Sequence, residues 1–414
     1  MCSIFGAIGH NVDNGIIDAI REAARDRGRD GGRMEAYPLS GDRVAVLGNW
    51  RATPTTEIVT GTDLQPYDGV VHNGTIANDH ELGNPHGVID SRIIPVVIDR
   101  HEGRTGVSSL AHALRHLKGS FALAVRSPHT VFLAANYKPL HYLEIDGSIY
   151  FSSMERHLSS LAPFGRRPVA LDPYSVLDLT THETVMLPRH TSRRALVICS
   201  SGLDSTTVAY VLRHDGWSVD LVHFMYGCHA QTREVNRVRD IAADLGCRAI
   251  FQSLDYGDSD GDSPLLTDGE IATGVRGAEF AHEWVPARNL LMVARAVAYA
   301  EANDYGAVAL GNNLEESGAF PDNEERFTEL LNAVLPFAVQ ANRKVELLSP
   351  VGNLMKHEIV ALGTRLGVPF GLTWSCYRGG DEHCGVCGPC HMRRIAFMRN
   401  GLTDPVFQDQ AVMS

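Results

Sequence analysis

The pattern of the chain changes near residue 190, and that change restricts the fold more than any other feature. Ala195-Leu196-Val197-Ile198-Cys199 is apolar at every position. Side chains of a strand alternate between its faces, so an unbroken apolar run fits a strand covered on both sides. A helical stretch over 205–214 follows, then strand-like 219–224, helical 234–245 and strand-like 248–254. A helix over 289–301 and a buried strand over 307–310 continue the alternation. Strand and helix in turn predict a parallel, doubly wound α/β sheet.

Residues 1–187 read differently. Short β-prone runs at 44–47, 121–125, 130–133 and 149–151 are separated by turn signals, with two helices expected over 15–25 and 108–117. This is an α+β pattern. The polar, breaker-rich segment 188–194 reads as a linker. At 414 residues the chain is too long for one comfortable core, so we expect domains at 1–187 and 195–414. The Asp- and Gly-rich stretch 256–263 is expected to be a loop. A net charge of −12 argues against a broad phosphate-binding surface, although a local basic cleft is compatible with it. No apolar run approaches the roughly 20 residues of a membrane span, and no charged-then-apolar leader precedes Cys2.

The eight cysteines are unevenly spread: four stand singly, and Cys376, Cys384, Cys387 and Cys390 crowd together. That is metal-ligand spacing rather than a disulfide framework, and it points to a reducing, cytoplasmic setting. Four thiolates in a closed set suit structural Zn2+; an iron–sulfur cluster and a redox dithiol are the competing readings. His383 and His391 flank the set and could replace a cysteine, but positions outside the ligand set are the plainer reading.

Ser200-Ser201-Gly202-Leu203-Asp204-Ser205-Thr206-Thr207 follows the first strand of the second domain. Small residues let backbone N–H groups approach phosphate, and a helix N-terminus adds partial positive charge. The Gly-Lys-Ser/Thr ending of a Walker loop is absent, and a plain helix cap by Asp204 or Ser205 is the alternative. Cys2 stands directly behind Met1. Once Met1 is removed, Cys2 carries both a thiol and an α-amine able to relay its proton; an inert thiol is the plainer reading. Asn73-Gly74 offers amide donors for an oxyanion, but an Asn-Gly hairpin turn is the simpler expectation. Arg51 and Asp90 could clamp an amino acid's carboxylate and amine. Lys356 opens a helical stretch, where a solvated helix-end lysine is the default.

Together these pieces resemble two families in tandem. Residues 1–187 resemble the class II glutamine amidotransferase domain through Cys2-Ser3-Ile4-Phe5-Gly6, Arg27-Gly28-Arg29-Asp30-Gly31, Arg51, Asn73-Gly74, Asp90-Ser91, Lys118-Gly119-Ser120-Phe121 and Tyr137-Lys138-Pro139-Leu140. The resemblance implies an αββα N-terminal-nucleophile sandwich in which Cys2 attacks glutamine. Asn73 and Gly74 would form the oxyanion hole, with Arg51 and Asp90 binding the α-groups. Thr75 stands where that family usually has Glu.

Residues 195–401 resemble the QueC family of ATP-pyrophosphatases. The match runs through Ser200–Thr207, Tyr226-Gly227, 285–289, Phe320-Pro321-Asp322, 356–360, Thr373-Trp374-Ser375-Cys376-Tyr377 and Cys384–Cys390. It implies that Ser200, Ser201, Gly202, Leu203, Asp204, Ser205, Thr206, Arg288 and Lys356 handle ATP with Mg2+, that Phe320 and Asp322 meet the substrate, and that the cysteines hold structural zinc. Ser201 replaces a glycine of that family's loop, Cys228-His229 replaces Gln-Arg, and Asn323-Glu324 replaces Cys-Arg. Losing that arginine and gaining a carboxylate is expected to change how an anionic substrate is held.

The expected activity is glutamine-dependent, ATP-using modification of the C7 substituent of a 7-deazaguanine, giving an amide, nitrile or amidine. The resemblance allows a free base, a base within tRNA or DNA, or conjugation to a protein amine, and it is compatible with a homodimer. An asparagine-synthetase-like amidation of a small acid is disfavoured by the cysteine cluster and by Thr373-Trp374-Ser375-Cys376-Tyr377, which that family lacks. A catalytically silent binding module is disfavoured by the presence of Cys2 and a nearly complete ATP loop.

Overall fold

The computed structural model describes residues 2–52, 63–85, 88–255, 263–279 and 282–407. The expected loop at 256–263 lies outside these except for Ser263. The chain divides into two compact units, Met1–Arg189 with Gln340–Asn342, and His190–Val339 with Arg343–Ser414.

The first unit runs β1 (Ser3–Gly9), α1 (Asn14–Ala24), β2 (Gly31–Leu39), β3 (Arg43–Arg51), β4 (Val70–Ile76), α2 (Ile93–Arg100) and α3 (Val107–Leu114). It continues through β5 (Gly119–Arg126), β6 (Val131–Ala135), β7 (His141–Ile145), β8 (Ser148–Ser152), α4 (Arg156–Ser159), β9 (Val169–Ala170), β10 (Ser175–Asp178) and β11 (Thr184–Met186). Two antiparallel sheets result, ordered β2-β3-β1-β8-β7-β9 and β11-β10-β6-β5-β4.

Alternation along β1 explains the layering. Ile4 and Ile8 point into the core between the sheets, with Leu47, Val71, Ala122, Leu133 and Phe151. Phe5 and Ala7 point the other way, onto Ile17, Ile20 and Ala24 of α1. On the second sheet, Leu123 and Val125 turn outward onto Ile94, Ile98, Leu110 and Leu114 of α2 and α3. Three apolar layers separate four structural ones, which is the αββα sandwich. Gly6 and Gly48 allow the tight stacking: a Cβ on Gly6 would lie 2.1 Å from the Val46 carbonyl, and one on Gly48 2.3 Å from the Phe5 ring.

The second unit contains β12 (Arg194–Ile198), α5 (Leu203–His214), β13 (Ser218–Met225), α6 (Gln231–Leu245), β14 (Ala249–Ser253), α7 (Gly274–Glu279) and α8 (Arg288–Ala302). Then come β15 (Ala307–Ala309), α9 (Leu314–Ser317), α10 (Glu325–Ala338), β16 (Glu346–Leu348), α11 (Lys356–Leu366) and α12 (Gly388–Arg399). The sheet is parallel throughout, in the order β14-β13-β12-β15-β16. The unbroken apolar run divides between two cores. Ala195 and Val197 face Val208, Ile241 and Ile359, and Leu196 faces Val293, Ala296 and Leu335. Helices therefore cover both faces of a doubly wound sheet.

The chain leaves β12 toward one edge and returns through β15 toward the other. In such sheets the crevice beyond the carboxyl ends of the strands at this reversal is where ligands bind. Among the described residues no helix is long and apolar enough to cross a membrane.

Candidate active sites

In the second unit, the turns after β12 and β15 open into one cavity. Its walls include Ser200, Gly202, Leu203, Asp204, Ser205, Arg288 and Lys356, together with Glu234, Asn312, Glu316 and Tyr377. Seven of the nine residues expected at an ATP site therefore share one wall. Ser201 and Thr206 are fully buried behind it. Phe320 stacks on Trp284 at 6.4 Å, and neither Phe320 nor Asp322 is among the cavity walls. Asp322 feels the charge of Arg288, and its backbone carbonyl accepts from Asn312 Nδ2 at 3.0 Å. Glu324 is exposed at the start of α10, while Asn323 lines the cavity. The gained carboxylate is thus not among the groups that line the cavity.

The helix cap also differs from expectation. α5 begins at Leu203 with Gly202 as its cap, not at Asp204 or Ser205. Leu203 is apolar and packs against Val360 and Phe397, which extends the helix by a half-turn. Ser201, where the related loops carry glycine, has a φ of +62° and a buried Oγ without a partner. A left-handed backbone costs an L-residue about 1–2 kcal/mol, so this turn is held under strain. The β15 turn approaches equally closely: a Cβ on Gly311 would sit 2.7 Å from the Ser205 nitrogen.

Lys356 is the first residue of α11 and is buried, not solvated. Its Nζ lies 3.1 Å from Asp204 Oδ2 and donates to Glu316 Oε1. Glu316 is held by the cap of α9, where Asn313 Oδ1 accepts from the Glu316 backbone at 3.0 Å. Burial pushes the Asp204 carboxyl up to about 6 against the pull of Lys356. Burial would raise Glu316 too, but Lys356 brings it below its ordinary value. Burial would lower the Lys356 ammonium, yet both carboxylates push it higher, so the lysine stays charged. The closer ion pair belongs to Glu316, which explains why Asp204 is the carboxyl left uphill. Asp204 Oδ1 is buried without a partner. An orphaned hard oxygen beside a second carboxylate is a fit for Mg2+.

Deeper in the cavity, Glu234 lies 3.8 Å from His223 Nε2 and accepts from Cys228 Sγ at 3.9 Å. Burial pushes its carboxyl up to about 7, opposed by Arg288. Arg288 donates to Tyr226 Oη at 3.4 Å. Sequence reading missed Glu234 and Glu316 as site residues. For Glu316 the signal was present: Asn313 followed three residues later by an acid is a helix-start signature.

Cys376, Cys384, Cys387 and Cys390 bring their sulfurs within 4.8 Å of one another. A tetrahedral zinc with bonds of about 2.3 Å needs sulfurs roughly 3.8 Å apart. The Cys384 and Cys387 backbone nitrogens donate to Cys376 Sγ and Cys384 Sγ at 3.4 and 3.3 Å, as thiolate ligation favours. Gly385 takes a φ of +72° inside the knuckle. His383 lies outside the ligand set; its Nε2 accepts from the Ser375 nitrogen at 3.0 Å.

In the first unit, Cys2 precedes β1, and its Sγ donates to the Ala52 carbonyl at 3.6 Å. Asn73-Gly74 lies inside β4, paired with Ala122 and Phe121, so the hairpin-turn reading is overturned. Gly74 is required because a Cβ there would meet the Ser120 carbonyl at 1.9 Å. Asn73 is 2% exposed, and its Nδ2 is buried without a hydrogen-bond partner. Asn49 ties the residues next to Cys2 and Asn73 to one side chain: its Nδ2 donates to the carbonyls of Ser3 at 3.2 Å and His72 at 3.3 Å. Arg27 feels the Cys2 sulfur electrostatically, a neighbour that sequence reading left without a role.

Arg51 and Asp90 are both close enough to perturb Tyr67. Arg51 is buried and donates to the Asp63 carbonyl at 3.2 Å. The Asp90 oxygens accept from the Ile76 nitrogen at 2.6 Å and the Ser91 nitrogen at 2.8 Å, anchoring the end of β4. Thr75 is exposed, with its backbone nitrogen donating to Ser120 Oγ at 3.2 Å.

The family model described as queuosine biosynthesis protein QueC matches residues 194–401. A 7-cyano-7-deazaguanine synthase of Sulfolobus acidocaldarius is 44% identical over 388 residues, covering 87% of this chain and 83% of its own. The protein of that name from Saccharolobus solfataricus is 43% identical over 400 residues, covering 90% and 85%. A shorter one from Methanothrix thermoacetophila is 37% identical over 227 residues, which is 51% of this chain and 97% of its own. Similarity to the first two extends through both units.

Proposed function

Because this chain belongs to the family of queuosine biosynthesis protein QueC, we propose that it makes 7-cyano-7-deazaguanine from the 7-carboxy base, using glutamine nitrogen and ATP. In the second unit, the turn from Ser200 to Thr206 would cradle the phosphates. Lys356 and Arg288 would offset their charge, and Asp204 with Glu316 would hold the accompanying Mg2+. Glu234 is suited to the donor edge of a guanine-type base, because a buried carboxyl needs N–H partners. Phe320 and Asp322 would support the cavity from behind its wall, Asp322 through its charge interaction with Arg288. Zinc on the four cysteines would fix the C-terminal segment.

Attack of the base's carboxylate oxygen on the α-phosphorus expels pyrophosphate and leaves an acyl adenylate. Ammonia adds to the acyl carbon, and AMP departs with the oxygen it carries, leaving the amide. A second ATP activates the amide oxygen in the same way, releasing pyrophosphate and one N–H proton. Loss of AMP and the remaining N–H proton then gives the nitrile.

In the first unit, Cys2 Sγ would attack the glutamine side-chain carbonyl while Asn73 and Gly74 donate to the oxyanion. Ammonia leaves, and water releases glutamate from the thioester. Arg51 and Asp90 would hold the α-carboxylate and α-amine. The observation that carries the proposal is Lys356 buried between Asp204 and Glu316 at the strand-order reversal, with a carboxylate oxygen left unpartnered.

The test supplies amide-15N glutamine, ATP and 7-carboxy-7-deazaguanine. It should yield AMP, pyrophosphate and a nitrile carrying the label. Cys2→Ala should abolish the glutamine-supported reaction and spare one driven by high ammonium. Equal loss of both reactions, or AMP formation only with small acids such as aspartate, would defeat the proposal.

A further inference from the structure

Outside both sites, the turn that joins α2 to α3 gathers three imidazoles. His112 lies in the last turn of α3, and His116 follows two residues beyond the helix end, its nitrogen donating to the Ala113 carbonyl at 3.2 Å. His101 ends α2, its nitrogen donating to the Val97 carbonyl at 3.3 Å. The chain then reverses through Glu102, at a φ of +52°, and Gly103, whose nitrogen donates to the Ile98 carbonyl at 2.8 Å. Gly103 lets this turn close on α3: a Cβ there would come within 3.1 Å of Ala113 Cβ. The reversal lays the His101 ring on that of His116, with centroids 4.2 Å apart and planes 11° apart. His112 meets each of them edge-on at 5.9 Å. Asn78 fixes the third member by donating from Nδ2 to the His116 carbonyl at 2.9 Å, while its Oδ1 accepts from the Lys118 nitrogen at 2.8 Å.

One nitrogen from each ring lies within 4.8 Å of the others. His116 Nε2 is buried without a hydrogen-bond partner. No hydrogen bond links these rings, so their crowding gains little by itself; a cation on their lone pairs would hold them together, with the His101 ring turning out of its stack so that its lone pair and that of His116 converge. The absence of a carboxylate or thiolate from the set selects a borderline transition metal over Mg2+ or Ca2+.

We infer that His101, His112 and His116 form a transition-metal site, suited to Zn2+ or Ni2+, with three protein ligands and an open position for water. It is separate from the four-cysteine cluster and independent of the proposed glutamine and ATP chemistry. Three histidines and an exchangeable water are a coordination set that zinc readily takes. His112 is exposed, so the set is reachable from solvent.

The test is zinc content of the full-length protein after dialysis against micromolar Zn2+. Wild type and Cys2→Ala should hold one zinc per chain more than His112→Ala or His101→Ala, whatever the cysteine cluster retains. Melting supplies a second readout, because a ligand that binds only the folded state raises its stability. Metal-free His112→Ala should melt with the wild type, and added Ni2+ should raise the wild-type transition but not the variant's. Equal zinc content in all four proteins, or an equal Ni2+ shift in wild type and His112→Ala, would overturn the assignment.

Discussion

Asn73→Ala separates catalysis from stability. The Asn73 amide is buried in β4 with Nδ2 unpartnered, and Asn49 draws the strand toward the start of β1, where Cys2 stands. A buried donor without an acceptor costs about 1–3 kcal/mol in the resting protein. Removing it recovers that cost and forfeits the packing of a small side chain, so the two terms nearly cancel and stability should change by less than about 1 kcal/mol. For a unit of this size that is a melting shift of no more than about 2–4 °C. The same donor aimed at a developing oxyanion is worth roughly 100- to 1,000-fold in kcat. Glutamate release by Asn73→Ala should therefore fall by that factor while the ammonium-supported reaction stays within about twofold. If the variant melts many degrees lower, or if both reactions fall together, Asn73 is a packing residue and the oxyanion assignment is wrong.

Lys356→Met should abolish ATP–pyrophosphate exchange with either nitrogen source, because it leaves Asp204 and Glu316 facing each other without their cation; persistence of exchange would remove Lys356 from the ATP site. Glu234 has its folded carboxyl raised to about 7. The stability this group contributes is therefore fully present below its unfolded value and is lost as pH rises through 7, by on the order of 3 kcal/mol. Urea titrations of Glu234→Gln should show that loss flattened. Arg393→Met should cost about 3–5 kcal/mol in urea unfolding, since it strands Asp404 from a fully buried guanidinium that pairs with it at 2.7 and 2.9 Å. Ser201→Gly should leave stability unchanged or raise it by up to about 1 kcal/mol, as left-handed strain is exchanged for glycine's unfolded-state entropy, whereas Ser201→Val should lower it.

Apolar pattern carried the second unit's sheet, because a strand covered on both faces leaves an unbroken run; β12 lies within one residue of its expected span. The first unit was harder to read from pattern. Asn73-Gly74 has turn composition, yet its glycine serves an approach of Ser120 that no local rule encodes. Lys356 looked like a solvated helix end because its partners, Asp204 and Glu316, are distant in the chain and meet it only through the parallel crossovers. Glu234 was legible as a helix residue but not as a cavity residue. That required knowing that α6 directs its first turn toward the cavity. What sequence conveys well here is periodicity and ligand spacing. What it hides are charges that acquire function by sharing one buried counter-ion.

That shared counter-ion bears on why an amidotransferase-like fold would suit a chain with an ATP-using family's second unit. The cavity presents Asp204, Glu234 and Glu316 against Lys356 and Arg288. Under the proposed function the phosphates of ATP add to these acids, and ammonium drawn from solvent would then be stabilised as the form that cannot attack an acyl carbon. Acidic groups near the reacting carbon would then raise the cost of deprotonating it. Under the proposed function, nitrogen released from a thioester-forming amide would arrive already neutral and would need only to be used before it meets water. On this argument, Cys2→Ala supplied with ammonium should show a steep rise in rate with pH as neutral ammonia accumulates. The glutamine-supported reaction should lack that rise. Parallel pH profiles for the two nitrogen sources would mean that solvent ammonia is the common nucleophile.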